Sequence, residues 1–171
     1  MIGLARTGGE CARFLARRGA AVLVSDRRRA DRLRPEIESL GGLAVDYRLG
    51  GEDAAWLEGL DGVVPSPGVA PENLLVEGAL ARGIPVLSEI ELAYRFFNAP
   101  VAAITGTNGK STTTTLIGQM IQKSGQKVFL GGNLGAPFIG ALAENWHWGL
   151  GEVSRLQLEW TAPFRPRIAG L

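Results

Sequence analysis

A chain of 171 residues has room for one sizeable core or two small domains. Apolar residues make up 46%, charged residues 20%, and the formal net charge is +1, a globular balance without the basic excess of a bulk nucleic-acid binder. No apolar run approaches the roughly 18 residues of a membrane span, and Cys11, the single cysteine, has no internal disulfide partner, so a cytoplasmic protein without membrane insertion is expected.

The predicted elements alternate. Met1 to Leu4 reads as the stub of a strand, Gly8 to Arg18 as a helix carrying Cys11, Phe14 and Leu15 at helical spacing, and Ala21 to Ser25 as an apolar strand. A helix is expected over Ala30 to Leu40, a strand over Leu43 to Tyr47 and a short helix over Asp53 to Leu60. Gly62 to Pro65 reads as a buried strand, Glu72 to Arg82 as a helix, Pro85 to Leu87 as a short strand and Glu89 to Phe97 as a helix. Pro100 discourages continuation of that helix, which places a domain boundary near residue 98. Strands follow at 101–105, Val128 to Leu130 and about Leu150 to Val153, with a helix from the first of these loops to about Lys123. The last apolar run, Ile168 to Leu171, looks like a strand entering a sheet. Such alternation predicts an α/β fold with parallel sheets and helices on their faces. Both ends read as truncated, because the second unit is short for its type and the first strand is only a stub.

Two glycine turns carry candidate chemistry. Gly3-Leu4-Ala5-Arg6-Thr7-Gly8 approximates a dinucleotide fingerprint, with Ala5 where the second glycine would let a pyrophosphate approach. Asp26, closing the next strand, is placed to meet a ribose or base hydroxyl, or simply to cap a helix-start turn. Gly106-Thr107-Asn108-Gly109-Lys110-Ser111-Thr112 follows Val101-Ala102-Ala103-Ile104 and precedes Leu116, Ile117, Met120 and Ile121 at helical spacing. That strand, loop and helix start can hold a phosphate on converging backbone N–H groups. Lys110 supplies a mobile cation and Ser111 a hydroxyl for a magnesium ion. Ile104 stands where the common P-loop pattern has its first glycine.

Gly-Thr-Asn-Gly-Lys-Ser-Thr is the loop form that resembles the Mur ligases, ATP-dependent enzymes that add amino acids to the peptidoglycan precursor. Gly131-Gly132-Asn133-Leu134-Gly135 resembles the family loop that contacts substrate near its sugar and diphosphate. Glu152-Val153-Ser154-Arg155-Leu156-Gln157-Leu158-Glu159 resembles the family's Glu-Leu-Ser-Ser-Phe-Gln-Leu-Glu, with Arg155 and Leu156 as departures. The resemblance implies a Rossmann-like UDP-substrate-binding domain over residues 1–97 and an incomplete central ATP-binding domain over 98–171, with a C-terminal amino-acid-binding domain absent.

By the same resemblance, Arg6, Thr7, Asp26, Arg27, Arg28, Ser66 and Gly68 face the UDP moiety. Asn133, Ser154 and Gln157 are further substrate contacts, Gly106 to Thr112 bind ATP, and Ser111 and Glu152 hold Mg2+. The implied reaction converts the carboxylate of UDP-N-acetylmuramoyl-L-alanine to an acyl phosphate that the amino group of D-glutamate attacks, in a monomeric enzyme. The serine after Lys110 points to the D-glutamate-adding member, with an L-alanine-adding member or a non-catalytic UDP-sugar-binding fragment as alternatives. The 171-residue chain is expected to be inactive alone. An NAD-dependent Rossmann protein is disfavoured by Ala5 and by the second phosphate loop.

Overall fold

The computed structural model describes residues 1–133 and 135–171, and it divides them into two compact units, Met1–Glu89 and Ile90–Leu171. In the first unit, α1 (Arg6–Arg17) follows the strand stub, and β1 (Val22–Asp26) pairs in parallel with β2 (Val45–Leu49), Asp26 opposite Leu49. Single parallel bridges extend this series, from Ser25 to Ile2, from Ile2 to Pro65, and from Val63 to Val86. Leu4, Ala12, Val22, Val24, Leu33 and Leu40 form one buried cluster beneath α1.

Between β1 and β2 the expected single helix is two pieces, a 3₁₀ turn at Ala30–Arg32 and α2 (Arg34–Ser39). Pro35 is the cause. It sits in the first turn of α2, where its missing N–H is harmless, whereas in one helix running on from Ala30 it would lose the bond to the carbonyl four residues back, at Asp31, and its ring would clash there. Likewise Asp53 to Leu60 yields only a 3₁₀ turn at Ala54–Leu57, with the Asp53 carboxylate accepting from Ala55 N. α3 (Leu74–Ala81) starts on a stronger cap, Asn73, whose side chain accepts from Leu75 N and Val76 N.

α4 (Glu89–Tyr94) ends three residues before Phe97, where the helix was expected to stop. The second unit begins within it, at Ile90, rather than near residue 98. Glu91, fully buried, ties α4 to the 162–164 segment by accepting from Phe164 N at 2.9 Å, Ala162 N at 3.2 Å and Arg95 Nε at 2.8 Å.

The second unit is a four-stranded parallel sheet in the order β4-β5-β3-β6, made of β3 (Val101–Ile104), β4 (Val128–Gly132), β5 (Trp148–Glu152) and β6 (Ile168–Gly170). α5 (Lys110–Lys123) connects β3 to β4, and α6 (Arg155–Glu159) follows β5. Alternation along β5 decides what each face holds. Gly149 and Gly151 face Phe138 and Phe97, and a methyl group on Gly149 would come within 2.7 Å of Phe97, one on Gly151 within 2.8 Å of Phe138. Leu150, on the opposite face, is completely buried in a cluster with Ala102, Ile104 and Val128, against which Ile117 and Ile121 of α5 pack. Glu152 shares the parity of Leu150, so its carboxylate emerges on the α5 side at the carboxyl end of the sheet.

Among the described residues, no helix is long and apolar enough to cross a membrane.

Candidate functional site

Each unit presents a glycine turn at the carboxyl end of its parallel strands, where ligands of open α/β sheets bind. In the second unit, β3 is buried along its whole length and lies between β5 and β6. The chain leaves it through Gly106 and Gly109, at φ of +128° and +78°, backbone conformations that strongly favour glycine. Gly109 is the N-cap of α5 and offers no side-chain acceptor, so the first N–H groups of the helix are not capped by it. Lys110 folds back, its Nζ donating to Gly106 O at 2.7 Å. Ser111 Oγ donates to Glu152 Oε2 at 2.9 Å.

The pairing between Ser111 and Glu152 joins two segments forty-one residues apart in sequence. The sheet register accounts for it, since Ile104, Glu152 and Gly132 sit side by side at the strand ends. Gly132 is required there, because its φ is +110° and a methyl group would lie 2.2 Å from Glu152 O. Asn133 N donates to that same Glu152 O at 2.7 Å, and the Asn133 side chain is on an exposed residue. Leu134, within the same predicted loop, lies outside the described residues.

Ser154 and Gln157 are brought together as a capping box that starts α6. Ser154 Oγ accepts from Gln157 N at 3.3 Å, while Gln157 Oε1 accepts from Ser154 N at 2.9 Å and from Ser154 Oγ at 3.1 Å. The Gln157 side chain is buried, and its Nε2 has no hydrogen-bond partner. Thus Gln157 positions Ser154 and keeps one buried donor uncommitted. Thr107, Asn108, Ser111 and Thr112 are exposed on the loop and the first turn of α5. No group of three or more His, Cys, Asp or Glu side chains among the described residues is arranged to hold a metal. Ser111 Oγ and Glu152 Oε2 are two hard oxygen donors held together at the strand ends. His147 is exposed and accepts from Lys127 N through Nδ1 at 2.8 Å, at the opposite end of β5 from Glu152.

The first unit is built more tightly. Gly3 has φ +86°, and a methyl group on Gly8 would lie 1.9 Å from Gly3 O, so α1 starts directly against the turn. Ser66 Oγ donates to Gly3 O at 3.0 Å. Asp26 accepts four hydrogen bonds, from Leu4 N at 2.8 Å and Arg28 Nη2 at 2.9 Å on Oδ2, and from Arg28 N at 2.9 Å and Arg28 Nε at 3.0 Å on Oδ1. Burial raises the Asp26 pKa, but the bonds from Arg28 and Leu4 outweigh it and hold the carboxyl below its usual range. Arg6 is exposed and Thr7 half-buried in the first turn of α1.

A cavity of about 400 Å³ opens beside this turn, lined among others by Gly3, Asp26, Arg27, Gly68, Glu52 and Asn73. Glu52 and Asn73 were not legible as lining residues, since Glu52 lies in a turn without periodicity and Asn73 reads as part of the helix it caps. Glu52 accepts from Arg27 and Asn73; burial raises its pKa, and these two bonds lower it further than burial lifts it.

The comparisons with known proteins agree with this division. Residues 1–88 match the family model described as Mur ligase MurD-like, N-terminal domain, and residues 104–154 match the Mur ligase middle domain. Curated proteins named UDP-N-acetylmuramoylalanine--D-glutamate ligase are similar along the whole chain. The one from Geobacter metallireducens is 47% identical over 173 residues, covering 100% of this chain and 38% of its own length. The one from Trichlorobacter lovleyi is 45% identical over 173 residues, covering 100% of this chain and 39% of its own. The chain thus spans about two fifths of the length of the curated relatives it matches. Among solved structures, a UDP-N-acetylmuramate:L-alanyl-gamma-D-glutamyl-meso-diaminopimelate ligase from Neisseria meningitides superposes with a TM-score of 0.50 at 22% identity, covering 98% of this chain and 57% of that one, which supports the fold. With the N-terminal model alone spanning half the sequence and the middle-domain model covering the phosphate-type loop and Glu152, the chain belongs to the Mur ligase family.

Proposed function

We propose that residues 1–171 form the UDP-substrate-binding and ATP-binding portions of a ligase that joins D-glutamate to UDP-N-acetylmuramoyl-L-alanine in peptidoglycan precursor synthesis. The observation that carries this reading is the meeting of Ser111 Oγ and Glu152 Oε2 at 2.9 Å, beside the loop that places Lys110. The names of relatives about 45% identical along the whole chain supply the substrate pair.

On this reading the residues of the loop bind and orient phosphates. Gly106 and Gly109 keep side chains out of the cradle, and the uncapped N–H groups of α5 face a negative ligand favourably. Lys110, now on Gly106 O, exchanges that neutral acceptor for a phosphate oxygen, a stronger charge-assisted bond. Thr107, Asn108 and Thr112 supply polar edges to the same loop. Ser111 and Glu152 fit a magnesium ion: both are hard oxygen donors, already adjacent, and an ion that retains several waters needs only one or two protein ligands. When bound, that ion would offset charge on the phosphates of ATP.

The substrate carboxylate must become a better electrophile before an amine can attack it, and phosphoryl transfer from ATP serves that purpose. Asn133 and Ser154, on the loops flanking Glu152, and the uncommitted Nε2 of Gln157, in the first turn of α6, would orient the acceptor substrate. In the first unit, Arg6 and Thr7 would meet the diphosphate at the start of α1, and Ser66 and Gly68 would close the turn over it. Asp26 and Arg28, locked together, would act as wall rather than as exchangeable contacts, while Arg27 lines the cavity. A cytoplasmic, monomeric protein fits the proposal.

Calorimetry with UDP-N-acetylmuramoyl-L-alanine and, separately, ATP with Mg2+ tests the reading. Saturable one-to-one binding of each is expected. Tight binding of NAD without binding of the UDP substrate would contradict it.

A further inference from the structure

At the end of the second sheet opposite the loop of Lys110, a cavity of about 480 Å³ opens beside Val101, the first residue of β3, and Arg167, the residue before β6. Three arginines line it, Arg95, Arg165 and Arg167, and none of its described lining residues is acidic. Arg95 is positioned by Glu91, which is fully buried and accepts from Nε at 2.8 Å, leaving the two terminal nitrogens of the guanidinium outside that bond. The segment carrying the other two is pinned through its backbone. Tyr94 Oη donates to Arg165 O at 2.8 Å, and Arg167 N donates to Val101 O at 2.8 Å. Their guanidinium groups enter no hydrogen bond or ion pair among the described residues. Three arginines against one carboxylate leave a formal excess of two positive charges at the cavity.

The remaining wall is apolar. Tyr94 and Phe97 line it, together with Pro100 and Pro163. Both rings are held edge-on by a neighbour, Tyr94 by Phe164 at 5.1 Å and Phe97 by Phe138 at 5.5 Å between centroids. A volume in the range of small-molecule pockets is more than a bare inorganic anion fills.

We infer that this cavity binds an organic phosphate, the phosphate on the arginines and a ring or other apolar body against Tyr94 and Phe97. Guanidinium forks match phosphate oxygens in pairs and are weakly hydrated, so they favour such a group over a solvated counterion. A carboxylate has two oxygens and one charge, and would leave the arginines beyond its reach unmatched. The ligands of the proposed ligase reaction lie at the carboxyl ends of the strands, so neither uses this cavity.

Amide NMR of the 171-residue chain titrated with phenyl phosphate tests the inference, with inorganic phosphate and sodium chloride at matched ionic strength as comparisons. Saturable shifts are expected at Tyr94, Arg95, Arg165 and Arg167, resolved from any at Gly109 and Ser111. Phenyl phosphate should bind at least about tenfold more tightly than inorganic phosphate, the scale of burying part of a ring. Replacing both exposed arginines, Arg165→Gln with Arg167→Gln, should weaken it by at least about tenfold and leave shifts at Gly109 and Ser111 as they were, with a thermal melt confirming the fold. Arg167→Lys, which keeps the charge and loses the fork, should weaken it less than the double variant. Co-sedimentation with phosphatidylcholine vesicles, with and without phosphatidic acid, identifies the source. Arginine-dependent sedimentation with phosphatidic acid assigns a lipid headgroup, its absence a soluble phosphate ester, and either supports the site. Shifts confined to the loop of Lys110, an equal response to chloride, equal affinity for inorganic and phenyl phosphate, or undiminished binding by the folded double variant would each overturn the inference.

Discussion

The two glycine turns follow the same strand, turn, helix plan and are built for different work. Around Gly3 and Gly8 the turn is closely packed: backbone lies 1.9 Å from where a Gly8 methyl would be, Ser66 holds Gly3 O, and Asp26 accepts from Leu4 and Arg28. Around Gly106 and Gly109 there is space, with the nearest atom to a methyl on Gly106 at 3.8 Å and none within 4 Å of one on Gly109. Here Lys110 and Ser111, in the first turn of α5, donate to Gly106 O through Nζ and to Glu152 Oε2 through Oγ. A turn fixed by packing makes a rigid wall for a ligand, whereas an open loop with exchangeable hydrogen bonds can close around one.

The sharpest way to break this contrast is substitution by alanine. Gly8→Ala should destabilise the first unit by roughly 3 kcal/mol, since neither the helix nor the turn can yield to a backbone overlap. Urea unfolding would measure it. If Gly109→Ala, whose cost is only the strain of a left-handed residue, roughly 1 kcal/mol, proves equally damaging, the contrast fails.

A medium-sized effect concerns charge. Asp26 has its folded pKa lowered from 3.8, so its contribution is present above that value and is lost as pH falls through the folded pKa. Asp26→Asn should therefore cost about 2 kcal/mol at neutral pH, the scale of losing hydrogen bonds to a charged group. The difference from the unaltered protein should shrink progressively below pH 3.8, as followed by thermal melts across an acid series. A gap that stays constant into acid would mean that packing, not the carboxylate, is responsible.

The smallest expected stability effect belongs to the open loop. Lys110→Ala removes one bond to a carbonyl and is expected to change stability by under about 0.5 kcal/mol, as for substitutions away from packed features. A loss near that of Gly8→Ala would show that Lys110 is structural.

Much of this arrangement is legible in the sequence because it is local. The run Val101–Ile104 followed by glycines and a helical apolar spacing marks strand, loop and helix without any distant partner. The meeting of Ser111 with Glu152 was suggested by family resemblance alone; physically it depends on β5 lying beside β3, an order that no local pattern encodes. The break at Pro35 was available from proline chemistry, yet apolar spacing across Ala30 to Leu40 suggested one helix. Glu52 and Asn73 escaped for another reason. Glu52 lies in a turn and Asn73 caps α3, and only the fold brings them to Arg27. Ser154 and Gln157 show the reverse: a capping box is a local signal, but burial of the Gln157 amide is a tertiary outcome.

The central claim is that one chain carries two independent nucleotide sites, a walled one for the UDP moiety and an open one for ATP. Paired calorimetry on the unaltered protein and on Lys110→Ala tests it most directly. The account predicts that the substitution weakens ATP with Mg2+ by about tenfold to a hundredfold, the range of a charge-assisted hydrogen bond, and leaves the affinity for UDP unchanged. Parallel loss of both ligands, or no loss of ATP, would contradict it.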